Sequence, residues 1–392
     1  TFQSVVNYTP VVGEDNCSIK VCGKRTYLSE EGSTDEMLEY AITADHPDVS
    51  FERTGNYEIY TWTADAAGNV AESKRLTFSI DKEKPEIVIT GAEAGKHYGE
   101  DKVDLVFTLK DLNVSEKKEC YGLNVEKDGE QQENAVQWDV KKSECTAKGV
   151  LSLSKEGSYH IEMTGEDAAG NKDTASLDFV IDRTAPLAAI AVSHDNNQNG
   201  EPVVRQEEVQ GQSGKANVYY LKDDAKLDFN VTELYHEGTE IYIGSSLNGA
   251  DFEEKCYSME RNPEIIPVVY GAGGQEGRYE TYVWAKDAAG NLVGKDKETG
   301  LIEADYRCHF VIDRTAPKFT IAGAKGNNSF YSLGTVLVLT AEDVNHDLDT
   351  YNIKVTKTDN NGVITTQSYE GSEGWSVKDD LRVQYNLKLL EE

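Results

Sequence analysis

The sequence predicts an all-β chain of tandem antiparallel β-sandwiches in an extended array. Three observations lead to this prediction. The pentapeptide Asp-Ala-Ala-Gly-Asn occurs three times, successive copies lie about 100 to 120 residues apart, and the residues around each copy alternate between apolar and polar. This spacing matches the size of an independent small domain and is much longer than a solenoid repeat.

Each pentapeptide is predicted to be the tip of a β-hairpin. The copies begin at Asp65, Asp167 and Asp287. The Gly-Asn pair supplies the positive φ angles that tight turns require, and the Asp side chain accepts hydrogen bonds from the turn backbone. A Gly-x-Tyr sequence opens the first strand of each hairpin, with the tyrosines at Tyr57, Tyr159 and Tyr279.

Prolines mark the start of each following unit. An alternating run begins after Pro85, Pro186 and Pro317, where proline at a strand start costs no ladder hydrogen bond. No amphipathic helical period interrupts the pattern. The predicted units, called units 1 to 4 below, comprise residues 1–82, 83–183, 184–314 and 315–392.

The two ends of the sequence suggest a fragment of a longer protein. By comparison with unit 2, we expect unit 1 to lack its first strand and unit 4 to lack its last two strands. Unit 3 carries the longest insertions, Ser193 to Lys222 and Leu292 to Arg307. Long loops on a rigid scaffold are common binding sites, so unit 3 is the first place to look for a receptor site.

The Gly-x-Tyr strand, the Asp-x-Ala-Gly-Asn turn and the Asp-x-Thr-Ala-Pro linker together resemble the bacterial immunoglobulin-like repeats of large cell-surface adhesins. Residues 182–186 and 313–317 match the linker fully, and residues 81–85 match it in part. The resemblance implies immunoglobulin-like sandwiches and specifies no ligand. Because Ile59, Ile161 and Thr281 stand where strand F of an immunoglobulin domain carries its cysteine, the usual inter-sheet disulfide is not expected.

The cysteines fall two to a unit in units 1 to 3. An even number within each predicted domain indicates intradomain disulfides and an oxidising compartment. Reduced thiols buried in the cores are the alternative. The predicted pairs are Cys17 with Cys22, Cys120 with Cys145, and Cys256 with Cys308.

Composition predicts an exposed, secreted or cell-surface protein. The formal net charge is −31 and hydrophobic residues make up 38% of the chain. Such an acidic chain is repelled by nucleic acid and by anionic membranes, so we expect no nucleic-acid partner and no membrane insertion within this sequence. No secretion or wall-anchoring signal is recognised, which says nothing about the parent protein.

The sequence contains no motif of a known catalytic site. The nucleophile elbow, zinc-protease helix, Walker loop and dinucleotide fingerprint are all missing, and the seven histidines are scattered. We therefore predict that this region is not an enzyme and requires no cofactor for catalysis.

The most specific chemical hypothesis places Ca²⁺ between successive units. In immunoglobulin topology, the loops at one end of a sandwich face the linker of the preceding domain. Ca²⁺ takes six to eight oxygen ligands, and the resemblance agrees, since some giant adhesins hold calcium between domains. The alternative is that each Asp only caps its own turn. The predicted clusters are Asp81, Asp111, Asn113 and Asp167; then Asp182, Glu233 and Asp287; then Asp313, Asp343 and Asn345.

A second candidate calcium site lies in the first insertion of unit 3. Asp195, Asn197 and Asn199 precede Gly200 with the spacing of an EF-hand loop. Position 12 of that loop is Gln206 instead of Glu, and no helices flank it. An ordinary polar loop is therefore the alternative interpretation.

Two aromatic pairs are candidate binding residues. Tyr60 and Trp62 in unit 1, and Tyr282 and Trp284 in unit 3, point away from the predicted core. Aromatic rings on an open sheet stack on sugar rings or contact a protein partner. The alternative is that a neighbouring strand or insertion covers them.

These observations predict a noncatalytic extracellular repeat region of a bacterial surface protein. It would act as an adhesin stalk or spacer, with an unidentified host protein or glycan and the neighbouring domains of the same chain as partners. The alternative is an accessory spacer or carbohydrate-binding region of a secreted carbohydrate-active enzyme.

Overall fold

The protein is all-β, as the sequence predicts. The computed structural model describes residues 6–10, 18–29, 32–43, 45–193, 202–209, 214–323, 325–326, 334–358 and 361–388. Within these residues the regular structure is strands and short 3₁₀ turns, with no α-helix. The same described part holds no helix that is long and apolar enough to cross a membrane.

Unit 1 packs a two-stranded sheet against a five-stranded one. The small sheet pairs β1 with β4, and the large one has the order β3-β2-β5-β6, with β7 also paired to β5. Their facing side chains include Val49 and Phe51 from one sheet and Ile59 from the other. The strands are β1 Val6–Tyr8, β2 Ser18–Ser29, β3 Gly32–Ile42, β4 Val49–Phe51, β5 Gly55–Ala64, β6 Val70–Glu72 and β7 Leu76–Ile80.

Unit 2 is a two-sheet sandwich. Its sheets have the orders β13-β14-β10-β8 and β12-β11-β15-β16-β9, and the alternating residues of both inner faces form one core. Short 3₁₀ turns lie at Lys118–Cys120 and Lys142–Glu144. The strands are β8 Glu86–Thr90, β9 His97–Tyr98, β10 Val103–Lys110, β11 Tyr121–Lys127, β12 Glu130–Gln131, β13 Asp139–Lys141, β14 Thr146–Leu153, β15 Gly157–Glu166 and β16 Lys172–Ile181.

Unit 3 repeats the sandwich with additions at its edges. A three-stranded sheet, β17-β20-β23, faces a seven-stranded sheet of order β18-β19-β26-β24-β21-β22, in which β25 also pairs with β24. A 3₁₀ turn lies at Ala304–Tyr306. The strands are β17 Leu187–Ser193, β18 Val203–Glu208, β19 Lys215–Leu221, β20 Ala225–Thr232, β21 Glu240–Leu247, β22 Glu253–Ser258, β23 Glu264–Tyr270, β24 Gly277–Lys286, β25 Leu292–Val293 and β26 Arg307–Ile312.

Unit 4 has the smallest described core. Its sheets are β27-β28-β32-β31 and the pair β29-β30, and the core consists of Ala341, Tyr351 and Val383 with Leu348 and Trp375 against them. A 3₁₀ turn lies at Leu348–Thr350. The strands are β27 Lys318–Ala322, β28 Val336–Glu342, β29 Asn352–Thr358, β30 Ile364–Glu370, β31 Trp375–Asp379 and β32 Arg382–Lys388.

The described apolar side chains form four separate cores. Each core draws its members from one unit only. The chain is therefore a series of small sandwiches without a shared interior, which is what the spacing of the pentapeptides predicts.

The three predicted hairpins are confirmed. In each copy the backbone N–H of the Asp donates to the carbonyl of the Asn over 3.0 to 3.1 Å. The glycines at the tips, Gly68, Gly170 and Gly290, have φ angles of 85°, 95° and 93°. The two strands of each hairpin then pair along the large sheet of their unit.

The Gly-x-Tyr tyrosines form corners at the base of these hairpins. Tyr57 and Tyr159 donate their hydroxyls to the carbonyls of Arg53 and Lys155 over 2.6 and 2.8 Å. The third, Tyr279, is buried, and its hydroxyl has no hydrogen-bond partner among the residues that the structure describes. Each ring stacks on a core phenylalanine of the neighbouring strand, with pairs Tyr57 with Phe78, Tyr159 with Phe179 and Tyr279 with Phe310.

The predicted disulfides are wrong for the cysteines that the structure describes. Cys22, Cys120, Cys145, Cys256 and Cys308 are free thiols. Cys256 lies on β22 and Cys308 on β26, with β21 and β24 between them. Three strand spacings of about 4.8 Å separate the two residues, beyond the reach of a disulfide. Cys17, the predicted partner of Cys22, lies outside the described residues.

Candidate functional site

The first junction between units brings three acidic side chains together. Asp81 from the linker, Asp111 from the bend after β10 and Asp167 from the hairpin tip each offer one oxygen, and these oxygens lie within 4.8 Å of one another. Asp81 and Asp167 are buried and Asp111 is half-buried. The predicted amide also joins them, since Asn113 Nδ2 donates to Asp81 Oδ2 over 2.6 Å.

Burial makes the charge of this cluster unfavourable. The pKa of Asp111 is raised to about 6, mainly because burial removes hydration; the nearby carboxylates of Asp81 and Asp167 contribute to the rise, and the hydrogen bond from the Asn113 N–H opposes it. The folded chain therefore holds this proton more tightly than the unfolded chain does. Stability from this group is present at low pH and is lost as the pH rises from 3.8 through about 6.

The second junction is more deeply buried. Asp182, Glu233 and Asp287 again place carboxylate oxygens within 4.8 Å of one another, and the exposed fractions of the three residues are 1, 4 and 2%. Burial raises the pKa values of Asp182 and Glu233, and neighbouring carboxylates raise both further.

One carboxylate oxygen at the second junction has no donor. At the first junction Asn113 donates to the linker aspartate, but Tyr235 occupies the corresponding position here. Asp182 Oδ1 accepts a hydrogen bond from the Thr184 N–H over 3.1 Å. The other oxygen, Asp182 Oδ2, is buried and accepts none from the described residues. Such an oxygen needs a proton or a cation to offset the loss of water.

The third junction contains two acids and an amide. Asn345 Nδ2 donates to Asp313 Oδ2, and the Asn345 N–H donates to Asp343 Oδ1, both over 2.6 Å. Asp313 and Asp343 are both half-buried. All three predicted residues meet, but this junction has no third described carboxylate in the cluster.

Turn capping and clustering occur together at the first two junctions. Asp167 Oδ1 accepts hydrogen bonds from three backbone N–H groups of its own turn, and Asp287 accepts from the N–H of Asn291. In unit 1 the corresponding Asp65 caps its turn in the same way and is exposed. Turn capping therefore explains the pentapeptide in all three units, and in units 2 and 3 the preceding linker adds its own acid to form the cluster.

The asparagine that ends each pentapeptide is a junction residue that the sequence analysis missed. Asn171 Nδ2 donates to the carbonyl of Asp81 over 3.1 Å, and Asn291 Nδ2 donates to that of Asp182 over 3.0 Å. Each thus ties a hairpin tip to the preceding linker. Its occurrence in all three copies was the available signal.

A glutamate before the Gly-x-Tyr strand holds the other side of each Asp-Arg-Thr-Ala-Pro linker, and it was also missed. Glu156 accepts hydrogen bonds from the N–H of Arg183 and the hydroxyl of Thr184, over 3.0 and 3.1 Å. Glu276 accepts the same pair of bonds from Arg314 and Thr315, each over 3.2 Å. The linker sequence is therefore bonded to both of its neighbours.

The aromatic pair of unit 3 is covered, which favours packing over ligand contact. Trp284 stacks on Tyr242 with ring centroids 3.8 Å apart. The Lys295 ammonium, from the second insertion, lies 4.1 Å from the centroid of the Trp284 ring. Glu254 accepts hydrogen bonds from the Trp284 indole and the Tyr282 hydroxyl, each over 2.9 Å. Both aromatic residues are 8% exposed, so neither offers a sugar-binding platform in this structure.

The other predicted binding positions divide into two groups. Tyr60 and Trp62 are half-buried, with the guanidinium of Arg75 4.6 Å from the Tyr60 ring centroid and the Lys20 ammonium 5.9 Å from that of Trp62. The EF-hand-like residues Asp195, Asn197 and Asn199 lie outside the described residues.

Comparison with known proteins gives similarities in structure alone. No protein-family model matches the chain, and no curated protein matches it significantly in sequence. A tetra-tandem repeat from the extending region of a large adhesion protein is 14% identical, with a TM-score of 0.37 over 99% of this chain and 87% of that one.

Two further solved structures show weaker similarity. The fibronectin(III)-like modules of Clostridium thermocellum CbhA are 10% identical, with a TM-score of 0.23 over 58% of this chain and 94% of theirs. The FN1–FN3 domains of chicken CNTN1 are 12% identical, with a TM-score of 0.23 over 79% and 95%. The strand orders of the chain itself identify it as a tandem array of immunoglobulin-like or fibronectin-III-like sandwiches.

Proposed function

We propose that this chain is a noncatalytic extracellular spacer, the stalk of a bacterial surface adhesin, that holds a binding module away from the cell. The observation that carries the proposal is the bonding of each full linker to both flanking units. Asp182 and Asn291 tie the second linker to unit 3, while Glu156 ties it to unit 2. Hydrogen bonds on both sides of a linker restrict the relative motion of two units that small interfaces would otherwise allow.

Solution scattering tests the spacer. Strands of ten residues span about 33 Å, so four units end to end extend roughly 140 Å and have a radius of gyration of about 40 Å. A compact chain of this length has a radius of gyration of about 21 Å. A measured value near the compact one would contradict the proposal.

We further propose that divalent cations, Ca²⁺ above all, occupy the first and second junctions. At the second junction Asp182, Glu233 and Asp287 supply carboxylate oxygens, and the buried Asp182 Oδ2 accepts no hydrogen bond from the described residues. At the first junction Asp81, Asp111 and Asp167 supply them. Oxygen ligands of this kind suit Ca²⁺, and its charge offsets the repulsion among the three acids.

Calcium titration at two pH values tests the cation sites. The chain contains one tryptophan per unit, at Trp62, Trp138, Trp284 and Trp375, so incorporated fluorotryptophan gives one ¹⁹F signal per unit. We expect millimolar Ca²⁺ to raise the melting temperature of units 2 and 3 at pH 7.5 and to raise it less at pH 5, where protons compete.

Matched variants separate a cation site from a general salt effect. Asp287→Asn changes a hairpin tip inside the second junction, and Asp65→Asn changes the same position of an exposed hairpin. Only Asp287→Asn should lower the calcium response of unit 3. Calorimetry without detectable Ca²⁺ binding to the unaltered chain would end the cation proposal and leave the spacer proposal standing.

A further inference from the structure

The first insertion of unit 3 contacts unit 4 through strand β18, which lies at the edge of the large sheet of unit 3. Strands β18 and β19 form an antiparallel hairpin, and β19 joins the large sheet by pairing in parallel with β26. This places β18 at the sheet edge. Arg205, in the middle of β18, contacts the loop of unit 4 that also carries the third-junction residues Asp343 and Asn345.

Arg205 makes two polar contacts with that loop. Its Nη1 donates to the carbonyl of His346 over 3.2 Å, and its Nη2 lies 2.8 Å from Asp347 Oδ2. The side chains of Arg205 and Asp347 are 28 and 33% exposed. A charge-assisted bond at a half-buried position is stronger and less screened than an ordinary surface ion pair.

The guanidinium is positioned by its own unit. It lies 4.7 Å from the ring centroid of Tyr220 on β19. The Tyr220 hydroxyl donates to Glu207, which also forms an ion pair with Arg278 over 2.8 Å. Because Arg205 and Glu207 are two residues apart on one strand, they share a face. The β18–β19 hairpin therefore holds the Arg205 guanidinium in the orientation in which it contacts unit 4.

The loop that receives Arg205 is positioned as well. His346 Nε2 is 2.9 Å from the Leu381 carbonyl, and Nδ1 is 2.7 Å from the Tyr351 hydroxyl. Asn345 is bonded to the linker residue Asp313. Both partners are held before they meet, so little conformational entropy opposes the contact.

We propose that the β18–β19 hairpin is a brace that locks unit 3 against unit 4. At the second junction a hairpin also reaches the next unit, since the Tyr235 hydroxyl of unit 3 donates to Asp128, in the turn between β11 and β12, over 3.2 Å. The contact of the β18–β19 hairpin differs from it in being an ion pair. The third junction also has only two half-buried acids in its cluster. The chain then has two kinds of joint: acid-lined joints that respond to cations, and a braced joint that does not depend on them.

Pulsed dipolar spectroscopy on the full chain tests the brace. Spin labels on noncanonical residues at the exposed positions Lys255 and Lys354 report the distance between units 3 and 4 and leave the cysteines unchanged. With chelator present, we expect a narrow distribution for the unaltered chain. Arg205→Ala should lower the ratio of docked to undocked molecules about fivefold, a loss typical of one ion pair.

Three further variants decide the interpretation. Arg307→Ala is the matched control, because Arg307 pairs with Glu280 and lies 5.9 Å from the Tyr282 ring centroid, wholly inside unit 3. It should leave the distribution narrow. Asp347→Asn removes the charge on the other side of the contact and should broaden the distance distribution. The double variant Arg205→Asp with Asp347→Arg should restore the narrow distribution.

Folding is checked separately in every variant through the ¹⁹F signals of Trp284 and Trp375. If Arg205→Ala disturbs the folding of unit 3, the distance distribution of Asp347→Asn tests the brace instead. Narrow distributions in both single variants, with both units folded, would overturn the brace whatever the calcium result.

Discussion

At the scale of single residues, one hydrogen bond distinguishes otherwise equivalent tyrosines. Tyr159 donates to the Lys155 carbonyl over 2.8 Å, whereas the buried hydroxyl of Tyr279 has no partner in the described part of the chain. In unit 3 the residue four positions earlier is Gln275, and its carbonyl accepts Arg314 Nη1 over 2.9 Å. A linker bond therefore occupies the acceptor that the corner uses in unit 2.

This difference predicts that the same Tyr→Phe substitution changes the stability of the two units differently. Tyr159→Phe should destabilise unit 2 by about 1 kcal/mol, because a satisfied hydrogen bond is lost and a carbonyl is left without its donor. Tyr279→Phe should leave unit 3 unchanged or slightly more stable, since it removes an unpaired buried hydroxyl. Urea titration followed by the ¹⁹F signals of Trp138 and Trp284 measures both. Equal losses in the two units would contradict the hydrogen-bond assignment.

At the scale of structural elements, the pentapeptide at each hairpin tip closes its own turn and, in units 2 and 3, also bonds to the preceding linker. Its Asp closes the turn, and its Asn either stays within the turn or reaches a preceding linker. Among the described residues the Asn69 amide donates to Asp65, while that of Asn291 donates to Asp287 and to the carbonyl of Asp182. The same sequence therefore has different consequences in unit 1 and in unit 3.

Asn291→Ala should loosen the second linker. The lost bond of about 1 kcal/mol makes local opening about fivefold more frequent, so trypsin should cleave after Arg183 about fivefold faster. Asn69→Ala removes the corresponding amide from the hairpin tip of unit 1, where it donates to Asp65, and should leave cleavage at Arg183 unchanged. Mass spectrometry of timed digests gives both rates. A change of the same size in both variants would indicate a general effect on the fold.

At the scale of the whole molecule, separate cores imply separate unfolding. The described core of unit 2 draws on both of its sheets, whereas that of unit 4 contains three buried residues. Buried apolar area is the main favourable contribution to stability. The linkers add hydrogen bonds between units and no shared apolar interior.

We expect four distinct unfolding transitions. In a urea titration the ¹⁹F signal of Trp375 should change first, and those of Trp138 and Trp284 should change last. Each unit should follow its own two-state curve. One common midpoint for all four signals would contradict independent cores.

The strands, the hairpin tips and the positions of the acids could be predicted from sequence because they follow local rules. An alternating run predicts a strand, and Gly-Asn predicts a tight turn. The disulfides could not be predicted in this way. Counting cysteines per unit ignores strand order, and β21 and β24 separate Cys256 from Cys308.

For the aromatic residues, too, the sequence predicted the local position but not the long-range packing. Their alternation placed Trp284 on the outer face, but the cover provided by Tyr242 and Lys295 comes from a neighbouring strand and an insertion. Long-range packing of this kind leaves no periodic signal in the sequence.

The sequence by itself determined that this protein is a series of separate β-sandwiches and that an acid begins each linker, because both follow from short patterns repeated at domain spacing. Only the tertiary structure decided which acids share a buried space, which carboxylate oxygen lacks a donor, and that Arg205 reaches the next unit. Those properties depend on distances between residues that are far apart in the chain.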